Sequence, residues 1–186
     1  MVASHNQKQK NQNKMKKAFF ILLTIVLLSS CNRPKVEGHY TYQHGWNYDI
    51  KEGNIDVHET GTMDFHDNGC ALDSARQVYV VRFNDGGKAT WIFNYVSPSV
   101  WHVDGEDFYF AGIEDSFRME LMENITEDCD EEMSYELSQK IIKNVSSGIA
   151  RETKFHFAEL SQEKLMWSYT YSNGNTDTWT FYRQEK

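Results

Sequence analysis

The stretch Val36-Glu37-Gly38-His39-Tyr40-Thr41-Tyr42-Gln43-His44-Gly45-Trp46-Asn47-Tyr48-Asp49-Ile50 decides how this chain folds. Its even positions carry Val36, Tyr40, Tyr42, Trp46, Tyr48 and Ile50, with Gly38 and His44 among them. Its odd positions carry Glu37, Thr41, Gln43, Asn47 and Asp49. Apolar residues at every second position share one side of a pleated strand, so this stretch buries one face and wets the other. A helix would scatter the same residues around its circumference.

The same alternation returns outward along the chain. It appears in Ile55-Val57, Met63-Phe65, Tyr79-Val81-Phe83, Trp91-Phe93-Tyr95, Phe108-Phe110, Phe117-Met119-Leu121, Phe155-Phe157, Leu165-Trp167-Tyr169-Tyr171 and Trp179-Phe181. Between these stand Glu52-Gly53-Asn54, Asp67-Asn68-Gly69, Asn84-Asp85-Gly86-Gly87, Asp104-Gly105-Glu106 and Asn173-Gly174-Asn175, residues that tolerate the backbone of tight turns. Short strands at regular spacing point to an antiparallel sandwich or barrel. One segment departs from the rule. Met133, Leu137, Ile141, Val145 and Ile149 recur every fourth residue, with Ile142 beside them, which predicts an amphipathic helix near 131–149. Asp128 followed by Glu131 reads as its capping box, and Gly148 lies near its end. The acidic run from Glu127 to Glu132 lacks the glycine and ligand spacing of a calcium loop, and acids at a helix N-terminus suit the dipole.

Ahead of the strands lies a leader. Met15-Lys16-Lys17 precedes the apolar run Ala18 to Leu28, which ends in Leu28-Ser29-Ser30-Cys31. A basic start, a short apolar segment and small residues at the exit make a secretory signal peptide, with Met15 its natural first residue. The run is shorter than the roughly 20 residues a membrane span needs. Its last four residues resemble the lipobox of bacterial lipoproteins. That resemblance implies a signal peptide over 1–30, lipidation of Cys31, a tether over 31–35, and a folded domain over 36–186. The membrane is then a partner through the lipid, and the expected location is the periplasmic face of a Gram-negative outer membrane. The leader holds five of the 19 basic residues and no acid, so the remaining chain has 14 basic and 27 acidic residues, a formal charge of −13. Such a surface repels phosphates, and nucleic acid is excluded as a partner.

Within the domain, Gly38-His39-Tyr40 near the start and Trp179-Thr180-Phe181-Tyr182-Arg183 near the end are similar to the paired motifs of lipocalins, with tyrosine in place of the usual tryptophan. Gly61-Thr62-Met63-Asp64-Phe65-His66-Asp67-Asn68-Gly69 and Leu160-Ser161-Gln162-Glu163-Lys164-Leu165-Met166-Trp167 are also reminiscent of bacterial lipocalin-like lipoproteins. The resemblance implies a mainly β fold: a single antiparallel up-and-down barrel with one inserted helix. It further implies that Arg183 packs over Tyr40 at the closed end, where Gly38 leaves room for the chain end. An apolar or amphipathic small molecule would occupy the cup, with Tyr42, Trp46, Trp91, Phe93, Trp167 and Trp179 as candidate lining. A core filled by those same aromatic rings is the competing reading.

Little else carries chemistry. Cys70 and Cys129 can pair in an oxidising compartment or stand as separate buried thiols. No Cys/His cluster with zinc spacing occurs, and no cofactor motif is present. His39, His58 and His66 with Asp64 could meet across neighbouring strands, but solvated surface histidines are the plainer reading, and no metal is assigned. Asp73-Ser74-Ala75 resembles an O-glycosylation acceptor of some Gram-negative exported proteins, with Ser74 the modified residue. The sequence therefore reads as a lipid-anchored, non-catalytic barrel that binds a small ligand or serves envelope maintenance. The alternative is a protein-interaction or inhibitor module that uses its acidic outer face.

Overall fold

The computed structural model describes residues 35–185. The expected signal peptide, Cys31 and the expected tether up to residue 34 lie outside the described residues. Nine strands form one sheet: β1 (Gly38–Ile50), β2 (Gly53–Phe65), β3 (Cys70–Phe83), β4 (Lys88–Asp104), β5 (Asp107–Gly112), β6 (Arg118–Glu127), β7 (Thr153–Leu160), β8 (Lys164–Thr170) and β9 (Thr176–Arg183). All pairings are antiparallel. The order β1-β2-β3-β4-β5-β7-β8-β9, with β9 paired back onto β1, closes an eight-stranded barrel of the lipocalin-like type. Glycines 69, 86, 105 and 174 take positive φ in four of the connecting turns, where a side chain would be strained.

Strand length shapes the barrel. Strands β1 to β4 run 13–17 residues, whereas β5 and β7–β9 run only 6–8. The long β4 divides its second edge: Ser99–Asp104 pair with β5, and Lys88–Val96 pair with β6. The short strands therefore cover one part of the inner face, and a helix covers the rest. Helix α1 (Glu131–Gly148) follows β6, within a residue of the predicted span. Its stripe of Met133, Leu137, Ile141, Ile142, Val145 and Ile149 packs on Ile55, Val57, Val81, Trp91 and Phe93. The cap is a correction: Asp130, not Asp128, accepts the Met133 N–H at 2.8 Å, and Asp128 takes a positive φ of 53° just before it. The turn into the helix needs that left-handed residue, which moves the capping carboxylate two positions on.

Two apolar clusters result. The first lies under the short strands and holds Tyr40, Met63, Phe65, Phe108, Leu165, Trp167 and Phe181. The second lies between β1–β4, β6 and α1. At the end of the first cluster, Arg183 closes the barrel. Its guanidinium carbon stands 4.8 Å from the Tyr40 ring centre, and it donates to the Tyr40 hydroxyl at 2.5 Å and to the carbonyls of Glu37 and Lys35. A Cβ on Gly38, where φ is +154°, would collide with the Arg183 guanidinium, so glycine is the residue that fits.

Candidate ligand-binding site

A row of four residues in register across the sheet builds the floor of the site. Tyr42 on β1 pairs with Gly61 on β2, Gly61 with Ala75 on β3, and Ala75 with Tyr95 on β4. All four face inward. The two small residues in the middle let the outer tyrosines lean across them: a Cβ on Gly61 would lie 2.7 Å from the Tyr42 ring and 2.8 Å from Ala75 Cβ. Two residues along each strand from these small positions stand Glu59 and Asp73, also inward, on opposite sides of the row.

The tyrosine hydroxyls meet both carboxyls. Tyr42 Oη lies 2.6 Å from Glu59 Oε1 and 2.7 Å from Asp73 Oδ1. Tyr95 Oη lies 2.8 Å from Glu59 Oε1, 2.7 Å from Asp73 Oδ2 and 3.0 Å from Tyr42 Oη. Gln77 donates to Glu59 Oε2 at 2.8 Å, and Tyr79 donates to Gln77 Oε1 at 3.1 Å. Two hydroxyl protons cannot serve five such contacts. A proton on Asp73 would add a third donor, still fewer than the five contacts, so the oxygens crowded here remain short of donors. Burial and then the neighbouring Glu59 charge push the Asp73 carboxyl up to about 7, against the pull of the Tyr42 and Tyr95 hydrogen bonds. Burial likewise holds the Tyr42, Tyr79 and Tyr95 hydroxyls well above the ordinary phenol range, so they remain donors at neutral pH.

Above this floor the barrel wall is split. β1 and β9 pair only through Tyr40–Tyr42 and Phe181–Arg183, and beyond that point the two strands diverge. Side chains span the gap. His44 Nε2 lies 3.1 Å from Asp177 Oδ2, and the His44 ring sits between Trp46 and Trp179, at 5.5 and 4.6 Å between ring centres. Between this rim and the floor is a cavity of about 300 Å³, walled by Phe110, Phe155, Trp167 and Phe181, with Tyr171 and Asp177 at its edge. That volume is at the lower end of small-molecule sites, which span about 300–1,000 Å³.

The structure brings together four of the six aromatic residues read as lining: Tyr42, Trp46, Trp167 and Trp179. Trp91 and Phe93 are a correction. Both are fully buried in the second cluster, and Trp91 Nε1 donates to Ser134 Oγ of α1 at 2.9 Å. They share the inward parity, but the inserted helix reaches them first. The cysteine pairing is a second correction. Both thiols are free. Cys70 pairs with Val100 at one end of the β3–β4 ladder, whereas Cys129 Sγ reaches the carbonyl of Lys88 at the other. A 14-residue strand of about 3.4 Å per residue separates them, far beyond disulfide reach.

The remaining candidates fall on the outside. Ser74 faces outward from the middle of β3, paired with Thr62 and Val96, while Asp73 points into the barrel, so the tripeptide is not displayed as one surface. His39 pairs with Asp64 at 2.7 Å, His58 and His66 are exposed, and among the described residues no three metal-ligating side chains converge. Glu59, Asp73 and Tyr95 belong to no sequence motif that marks a site. Their signal was parity: Ile55-Val57-Glu59-Gly61-Met63 and Ala71-Asp73-Ala75-Gln77-Tyr79 each place acids or amides on an otherwise apolar face.

No protein-family model matches this sequence, and no curated protein matches it either.

Proposed function

We propose that this protein is a lipid-anchored barrel of the bacterial envelope that binds a small amphipathic molecule and performs no chemistry on it. The cavity between the β1–β9 split and the carboxyl–tyrosine floor carries this reading. Its walls are aromatic, so they favour an apolar body, and its polar groups converge at one end, so they favour a single polar head. A core meant only for stability would leave neither the space nor the buried acids, each of which is costly to desolvate. The lipobox-like Leu28-Ser29-Ser30-Cys31 supports the anchor.

Fluorescence titration with the neutral probe N-phenyl-1-naphthylamine tests the reading. Saturable binding is expected, weakened about tenfold or more by Trp179→Ala and untouched by Tyr135→Ala on the exposed side of α1. Failure to bind, or binding indifferent to Trp179→Ala and Trp46→Ala, would overturn it.

A protein-interaction module is the second reading. It is favoured by an outward apolar strip of Leu72, Val96 and Val100 beside Ile113, each 37–46 % exposed. In that case Val96→Lys abolishes partner binding and leaves probe binding as it was.

A further inference from the structure

The floor of the cavity presents an imbalance of charge. Its polar lining consists of the carboxyls Glu59, Asp73 and Asp177, the hydroxyls of Tyr42, Tyr95 and Tyr171, and one basic group, His44, already engaged by Asp177. Among the described residues no lysine or arginine lines it. Elsewhere in the barrel carboxylates meet cations, as Asp107 does with Lys154 and His156, and Asp56 with Arg82. Those pairs lie near solvent. Glu59 and Asp73, each 9 % exposed, have no cationic partner among the described residues. Buried carboxylates persist when a cation or a proton neutralises them, and burial together with the Glu59 charge raises the Asp73 carboxyl toward its protonated form.

Building on the ligand-binding reading above, we propose that the molecule is an organic amine: an ammonium group seated against Glu59 and Asp73, on an aromatic or alkyl body lodged between Trp46, Trp179 and Trp167. The ammonium supplies the missing counter-charge, and its N–H groups supply the donors that the crowded oxygens lack. The faces of Tyr42, Trp46 and Trp179 add attraction for a cation through their ring quadrupoles. A carboxylate or phosphate ligand would meet like charge at the floor. A neutral alcohol would gain hydrogen bonds but no charge neutralisation.

Binding then displaces a proton. The ammonium enters in its charged form, the O–H bond of Asp73 breaks, and that proton leaves to solvent. The freed carboxylate oxygen accepts from the ammonium, and the Tyr42 and Tyr95 hydroxyls turn to Glu59 and Asp73. No electrons move. The groups around Asp73 set the coupling: Tyr42 from β1, Glu59 from β2 and Tyr95 from β4 act on it directly, and His44, Tyr171 and Asp177 line the same cavity. The walls contributed by β5 and β7 are Phe110 and Phe155, which carry no charge.

The test uses the full chain in detergent micelles, titrated calorimetrically with tryptamine, with its neutral analogue tryptophol, and with indole-3-propionate, each against a micelle blank. Tryptamine is expected to bind about tenfold or more tightly than tryptophol, with the propionate weakest. At about pH 6.5 its heat should differ between phosphate and Tris buffers in the sense of proton release, and its affinity should rise as pH is raised toward 7.5. Asp73→Asn should retain tryptophol binding while losing both the amine preference and the released proton. Equal affinity for tryptamine and tryptophol, heat independent of the buffer, or no binding of either indole where the naphthylamine binds would each overturn the amine assignment and leave the cavity reading standing. Failure of the naphthylamine titration overturns both.

Discussion

Arg183, on the last strand, lies over the ring of Tyr40, on the first, with 4.8 Å between guanidinium carbon and ring centre. Strand pairing sets them directly opposite each other. The contact joins the first and last strands where the barrel closes, and a desolvated cation–ring contact contributes about 2 kcal/mol. Tyr40→Ala also removes a fully buried ring, so it should destabilise by about 3–5 kcal/mol. Urea denaturation of both single variants and the double variant should show coupling: the double loss is smaller than the two single losses added together. Strict additivity would mean that the two residues stabilise the barrel independently.

Gly61 should resist replacement even though its backbone is ordinary. A methyl group there would collide with both the Tyr42 ring and Ala75. Gly61→Ala is expected to cost about 1–3 kcal/mol through overpacking. It should also swing the Tyr42 hydroxyl away from Glu59 and Asp73, which a loss of probe affinity out of proportion to the loss of stability would report. Gly61→Ala combined with Tyr42→Phe should recover little of the affinity, because the hydroxyl is then absent altogether.

Stability should fall as pH rises through the weakly acidic range. Asp73 holds its proton in the folded protein up to about pH 7, whereas in the unfolded chain it releases it near the usual aspartate value of about 3.9. Between those limits the folded state binds more protons, so raising the pH favours unfolding. The full effect is on the order of 4 kcal/mol, present below about pH 4 and lost by about pH 7. Asp73→Asn, which mimics the neutral carboxyl, should flatten that slope and be at least as stable as the parent at pH 7.5. An unchanged slope in the variant would place the proton elsewhere.

The three cysteines should behave differently. Cys70 is exposed and should alkylate without prior reduction. Cys129 should react more slowly, because burial raises its thiol above the ordinary range and its Sγ–H is bonded to the Lys88 carbonyl at 3.2 Å. Cys31→Ser should abolish palmitate labelling and release the protein from membranes. Labelling that persists in that variant would remove the anchor from the reading. Mass spectrometry of alkylated peptides, with and without reductant, checks the first two.

Alternation in Val36–Ile50 and its echoes determined the β fold, because burying one face of a strand demands a period of two whatever the partners are. The four-residue spacing from Met133 to Ile149 determined the helix for the same local reason. The resemblance of Gly38-His39-Tyr40 and Arg183 to the paired motifs of lipocalins implied which strands meet, and β1 and β9 do pair there. The site was a different matter. Glu59 and Asp73 were visible as acids on an apolar parity, yet a lone acid in a strand is ambiguous until its cross-strand neighbours are known. Register decided that Tyr42, Gly61, Ala75 and Tyr95 form one row. Trp91 and Trp179 have the same alternation, and only the placement of α1 sends one into a closed core while the other lines a cavity. Cys70 and Cys129 were compatible with a bridge in sequence, and the length of β3 alone keeps them apart. Periodicity reports which face a residue occupies. What waits on that face depends on strand lengths and on where β1 and β9 part, which are set by pairings between strands, the last of them between residues more than a hundred positions apart.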